Sequence, residues 1–279
     1  MQDAIKTSQV RPMAVAGSFY PADVVQLRRM IGDFLGQVSV DPDETAPKAV
    51  IVPHAGYVYS GPIAASAYAH LAKACRDVCR VILIGPAHRV AFQGIAASSA
   101  DAFATPLGNV QLDREAIAMS VTLPDVMVFD EAHVAEHSLE VQLPFLQTVL
   151  DPDRFKLVPL VIGNASLHHV TKICELLWGG RETIFIISSD LSHFLDYQRA
   201  IQIDRATSAA IESLCPEDIS VHQACGRVAI QALLGLAPRY HLKARTVDQR
   251  NSGDVCETRD QVVGYGAYIF NDQISQIES

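Results

Sequence analysis

The stretch Ala49-Val-Ile-Val-Pro-His-Ala-Gly-Tyr57 decides the fold. Four uninterrupted apolar residues, three of them β-branched, read as a strand buried on both faces. The run stops at Pro53 and at once presents a histidine, His54. The same grammar recurs twice. Val81–Ile84 (VILI) runs into Gly85-Pro86-Ala87-His88, and Ile184–Ile187 (IFII) runs into Ser188-Ser189-Asp190-Leu191-Ser192-His193. A fourth run, Leu157–Ile162 (LVPLVI), is also strand-like.

Helical patterns separate these strands. A first helix is expected near Val25–Leu35, followed by a polar loop over Ser39–Lys48. Ala64, Ala67, Tyr68 and Leu71 share one helical face, and Ser60-Gly61-Pro62 reads as that helix's start, with Ser as cap. Leu139, Leu143 and Leu146 form a second face. Ile203, Thr207, Ala210, Ile211 and Leu214 form a third, within Ala200–Leu214. Val262–Phe270 alternates and reads as a further strand of antiparallel type. Strands alternating with helices predict an α/β fold, with a central, mostly parallel sheet flanked by helices. With 279 residues, no repeat and no confident linker, the expectation is one domain over 1–279, with short flexible ends at 1–10 and 271–279.

Composition narrows the function classes. Hydrophobic residues make up 49% of the chain and charged residues 19%, which suits a folded core and not a disordered chain. A net charge of −9 without basic runs argues against nucleic-acid binding. No apolar run is long enough for a bilayer span, and Met1–Met13 lacks a secretory h-region. The six cysteines (75, 79, 174, 215, 225, 256) contain no C-x-x-C pair, so neither a disulfide framework nor structural zinc is expected. The expectation is a reduced, soluble, cytoplasmic protein.

In open α/β sheets ligands bind beyond the carboxyl ends of strands. His54, His88 and His193 all arrive there. Any one of them alone reads as an ordinary loop residue. The three together point to one metal-capable cleft, histidine being the commonest metal ligand. Asp190 either orients an imidazole or caps the following turn. His133-Val-Ala-Glu136-His137 matches the H-x-x-E-H pattern of inverted zinc peptidases, but its Pro- and Asp-bearing approach places the helix start nearer Ser138, with Glu140 as capping partner. Glu136 and His137 then belong to a polar loop or line the same cleft. Gly56 to Gly61 has P-loop glycine spacing, but Pro62-Ile63 replace the phosphate- and magnesium-binding residues, so no nucleotide cofactor is expected. Cys225 precedes an apolar helical stretch. It reads equally as a thiolate of lowered pKa or as a small buried side chain. His70, His168, His169, His222 and His241 read as solvated.

These motifs together resemble the Memo family along nearly the whole chain. They begin at Arg11-Pro12 and Ala16-Gly-Ser-Phe-Tyr-Pro21. They continue through Pro53–Tyr57, Ser60-Gly61, Gly85-Pro86 with His88, and Glu136–Glu140. They end with Ser189–His193, Cys225-Gly-Arg227, Ser252-Gly-Asp254 and Val263-Gly-Tyr265. The family is similar in fold to the class III extradiol ring-cleaving dioxygenases. The resemblance implies His54, His88 and Cys225 as metal ligands. It implies His193 as acid/base with Asp190 and His137 nearby, and Tyr57, Glu136 and Arg227 toward substrate. Iron(II) or copper is the implied cofactor, because a thiolate softens the donor set. The resemblance implies a dioxygenase-like oxidoreductase activity; the alternative is a peptide- or protein-binding module, with AMMECR-type and radical-SAM proteins as implied partners. The chain departs from the pattern at Val228-Ala229, where His-Pro is expected in relatives.

Overall fold

A computed structural model describes residues 9–256 and 258–272. In chain order its strands are β1 (Val10–Arg11), β2 (Ala49–Val52), β3 (Arg80–Pro86), β4 (Ile95–Ala97), β5 (Ala102–Thr105), β6 (Gly108–Gln111), β7 (Val126–Val128), β8 (Lys156–Ile162), β9 (Thr183–Ser188), β10 (His193–Leu195), β11 (Leu242–Asn251) and β12 (Val262–Asp272). The helices are α1 (Val24–Leu35), α2 (Tyr57–Leu71), α3 (Arg114–Ser120), α4 (Glu131–Val134), α5 (Leu143–Val149), α6 (Leu167–Leu176), α7 (Tyr197–Glu212) and α8 (Arg227–Leu236).

Among the described residues, nine strands form the main sheet, in the order β10-β12-β2-β9-β3-β8-β4-β7, with β11 on β12. Its centre, β2-β9-β3-β8, is parallel, as the apolar runs predict. The flanks join it antiparallel, as expected for Val262–Phe270. β12 runs antiparallel to β2, β11 and β10, and β4 runs antiparallel to β8. A small sheet, β1-β5-β6, lies apart. All residues of β2 and β9 are buried, which explains their lack of alternation.

Helices α1, α2 and α5 pack on one another, α6 packs on α8, and α7 lies along β11 and β12. Asp23, Ser166 and Asp196 cap α1, α6 and α7 by accepting from backbone N–H groups in the first turn. α2 starts at Tyr57, before the expected Ser60. Gly56 takes the cap position, and the Ser60 hydroxyl donates to the Ala55 carbonyl from inside the first turn. α2 is buried on most of its circumference, and this draws His70 out of solvent. The expectation of a solvated His70 fails here: its Nδ1 lies 2.9 Å from the Glu44 carboxylate. His169 also has a partner, Asp125, at 2.6 Å, whereas His168, His222 and His241 are exposed.

Of the ends expected to be flexible, residues 1–8 and 273–279 lie outside the described residues. Val10 pairs with Ala102, and Asn271 and Asp272 continue β12. No helix among the described residues is long and apolar enough to cross a membrane.

The register decides where the chemistry lands. Val52 pairs with Ser188, and Ile187 with Ile84. The carboxyl ends of β2, β9 and β3 therefore finish at one level, and the loops carrying His54 and His88 leave from the same edge.

Candidate metal centre

His54, His88 and Cys225 each offer a ligand atom within 4.8 Å of the other two. Cys225 Sγ stands 3.3 Å from His54 Nε2. Two ligands of one small ion, with metal–sulfur and metal–nitrogen bonds of about 2.3 and 2.0 Å, would be separated by about that distance. Cys225 comes to the site because Gly226 packs directly on the end of β9. A Cβ at position 226 would sit 2.7 Å from Ser189 Cβ and 2.9 Å from the Ser188 carbonyl, so no side chain fits there.

Hydrogen bonds fix the tautomers. Ser188 Oγ lies 2.6 Å from the Ser138 carbonyl, which cannot donate, so the serine proton points there. Gln142 Nε2 donates to the same Oγ at 2.8 Å. The 2.9 Å contact between Ser188 Oγ and His54 Nδ1 therefore requires a proton on Nδ1. His54 Nε2 is left with its lone pair toward Cys225. Gln142 is itself held by Tyr68, whose hydroxyl donates to its Oε1, and by the Pro53 carbonyl.

Glu136 does the same for His88. Its carboxylate accepts from the backbone N–H groups of His88, His137 and Ser138 and faces His88 Nδ1 at 3.0 Å. Burial works to raise this carboxyl's pKa. The His88 ring and the backbone donors outweigh it and hold the group down at about 2. An ionised Glu136 puts the proton on His88 Nδ1 and frees Nε2. Glu136, expected near substrate, thus holds one of the histidines of the candidate centre. His193 follows suit: its Nδ1 donates to the Leu191 carbonyl at 2.8 Å, leaving Nε2 open.

His137 lies against this cluster, with its ring centroid 4.6 Å from His88, 5.5 Å from His54 and 4.7 Å from Phe19. It also forms a second donor group with His88 and Glu136. Burial lowers its pKa to about 4 and lowers that of His54 well below the usual imidazole range, so both rings are neutral at pH 7. Cys225 shows the opposite of the expected helix-end effect. Burial, then the charge of Asp190, pushes its thiol up to about 12, so it becomes a thiolate only when a cation displaces the proton.

Asp190 neither orients an imidazole nor caps the next turn. Its Oδ1 accepts from the His54 backbone N–H at 2.7 Å, and its own N–H points at Cys225 Sγ at 3.2 Å. It joins the His54 and Cys225 segments, its backbone carbonyl also accepting from the Cys225 N–H at 3.2 Å. Burial raises it to about 6.

Other expected residues are committed elsewhere. The Tyr57 hydroxyl donates to the Val141 carbonyl, and the Arg227 guanidinium donates to Gln231 on its own helix. His133 is buried with Nε2 on the Ala96 carbonyl, and α4 ends at Val134, so the H-x-x-E-H residues share no helical face. The helix expected at Ser138 begins as a tight turn over Glu140–Gln142 before α5. Glu140 makes no capping box. Its fully buried carboxylate accepts from Arg11 at 2.5 Å, from the Tyr20 hydroxyl, and from the N–H groups of Ala14 and Val15. It thereby anchors the segment that brings Phe19 onto His137. In sequence, Gln142 carries no assigned role, Ser188 marks only a strand end, and Glu140 reads as a capping partner. Each is a polar residue on an otherwise apolar element, and that was the available clue.

A cavity of about 560 Å³ opens beside Cys225. A larger one of about 1120 Å³ lies between the 37–45 loop and β11, and His54, His88 and Cys225 are not among its lining residues.

Comparison with known proteins follows the same boundaries. The family model described as Memo-like protein matches residues 11–269. The chain is 35% identical to a MEMO1 family protein of Ignicoccus hospitalis, over 94% of this chain and 98% of the relative. It is 34% identical to one of Sulfolobus acidocaldarius, covering 94% and 100%, and 35% identical to one of Aquifex aeolicus, covering 94% and 99%.

Proposed function

The chain belongs to the Memo family, and from that premise we propose that it is a metal-dependent oxidoreductase holding iron(II) or copper through His54, His88 and Cys225. The observation that carries this reading is the 3.3 Å approach of Cys225 Sγ to a His54 Nε2 whose lone pair is aimed by Ser188. Neutral imidazoles and one thiolate form a soft, low-charge donor set, suited to copper(I) or iron(II) more than to magnesium or calcium. Such a metal, when bound, supplies one-electron and dioxygen chemistry.

The chain's own residues supply the rest. His193 Nε2 carries a lone pair and accepts a proton from substrate, while the Leu191 carbonyl steadies the other ring nitrogen. Asp190 keeps the His54 and Cys225 loops in register. The cavity beside Cys225 receives the substrate. Metal analysis of the purified protein tests the ligand set. Wild type is expected to retain close to one equivalent of iron or copper, and His54→Ala and Cys225→Ala to lose it. Full metal content in both variants would overturn the assignment.

A further inference from the structure

The cavity beside Cys225 is bounded by the loop after β3, the turn after β8 and the first turn of α8. Its volume, about 560 Å³, lies within the range of small-molecule sites. No charged side chain lines it. Val90, Phe92, Ile162, Val228 and Ala229 supply an apolar wall, and the Val228-Ala229 departure from the expected His-Pro contributes directly to that wall. Arg89 and Arg227, the nearby cations, are not among its lining residues.

One polar feature interrupts the wall. Asn164 Nδ2 donates to Gln93 Oε1 at 2.9 Å across the adjoining loops. This bond fixes both amides and leaves Asn164 Oδ1 as an acceptor and Gln93 Nε2 as a donor, neither with another partner among the described residues. The backbone beneath is tight. A Cβ at Gly163 would meet the Phe92 carbonyl at 2.4 Å, so Phe92 can close on the wall only over glycine. The Gln93 and Asn164 side chains are both solvent-exposed, and no charged side chain lines the cavity to draw an ion to them. A neutral group with adjacent donor and acceptor would satisfy the Gln93–Asn164 pair.

We infer that this cavity binds a small, uncharged, largely apolar molecule bearing a carboxamide-like donor–acceptor pair, with the amide end at Gln93 and Asn164 and the apolar body toward Cys225. The inference rests on the proposed site only in taking the Cys225 end as the reactive end. Three probes of one size and different charge test it: benzamide, benzoate and benzamidine. Binding is measured by ligand-observed NMR on chelator-treated protein, so that a failure of the metal assignment leaves this measurement standing. Benzamide is expected to bind at least tenfold more tightly than either ion. Ala229→Phe, which fills the cavity, is expected to abolish benzamide binding, and the exposed-site change Asn164→Leu to weaken it severalfold without altering the fold. Equal or tighter binding of benzoate or benzamidine would overturn the inference. So would benzamide binding that is unchanged in both variants.

Discussion

Ser188 Oγ accepts a hydrogen bond from His54 Nδ1 at 2.9 Å because its own proton is committed to the Ser138 carbonyl. A hydroxyl that could donate either way is thereby left only an acceptor toward His54, and the histidine is left one tautomer. Removing the hydroxyl removes that constraint. Ser188→Ala is expected to weaken metal binding about 10- to 100-fold, the usual effect of losing a group that orients a ligand. A competitive chelator titration measures this, with circular dichroism to establish that the fold is kept. Wild-type affinity in the variant would show that the serine does not set the ligand.

Glu136 carries a pH signature. Its pKa falls from 4.5 to about 2 on folding. A depressed acid contributes stability that is fully present above the unfolded value and is lost as pH falls toward the folded one. The shift corresponds to about 3 kcal/mol. Wild type is therefore expected to lose roughly this much, relative to Glu136→Gln, between about pH 4.5 and 2. Urea unfolding of both proteins at pH 7, 4 and 3 checks it. At pH 7 the Gln variant is the less stable, since its amide nitrogen must face backbone donors. Parallel pH profiles would exclude the assignment.

Arg11 and Glu140 form a buried ion pair at 2.5 Å, with side chains 5% and 0% exposed. Glu140→Ala leaves a buried guanidinium without its partner and is expected to destabilise the protein by about 3–5 kcal/mol. The double variant Arg11→Met with Glu140→Leu is expected to recover part of that loss. Chemical denaturation of the three proteins decides the matter, and no recovery in the double variant would count against the pair as the cause.

Gly226 lets α8 touch the end of β9. Gly226→Ala puts a Cβ within 3 Å of Ser188 and Ser189 atoms and forces Cys225 outward. Overpacking of this kind costs about 1–3 kcal/mol in stability. The sharper readout is the metal: affinity is expected to fall at least tenfold even below the melting transition. Unchanged affinity would mean that Cys225 does not depend on this contact.

The central sheet was legible because its strands are buried on both faces and so appear as unbroken apolar runs. The strand-end histidines were legible for the same reason, each ending such a run. What lay out of reach was whatever depends on partners distant in sequence. Cys225 meets His54 across 171 positions; its own residues left it even between a thiolate and a buried side chain, and the family resemblance set it beside His54. Glu136 looked like a cleft residue, but the backbone of His88, folded back over it, takes its oxygens. Ser60 looked like a cap, yet Gly56 supplied the turn one residue before Tyr57. The antiparallel course of Val262–Phe270 showed in its alternation, whereas that of β4 against β8 left no local trace.

The two kinds of site residue sit on parts of the sheet with different rigidity. The loops of His54 and His88 hang from β2 and β3, each held between neighbouring strands in the sheet. His193 begins β10, which among the described residues pairs only with β12, at two positions flanking a bulge where Phe194 takes a φ of 59° and is 70% exposed. Short, singly paired segments open locally at far lower free energy than central strands. The segment of the proposed proton carrier is therefore expected to open locally while the proposed ligand frame stays closed, and amide hydrogens at 193–195 should exchange with solvent well before those of 50–52.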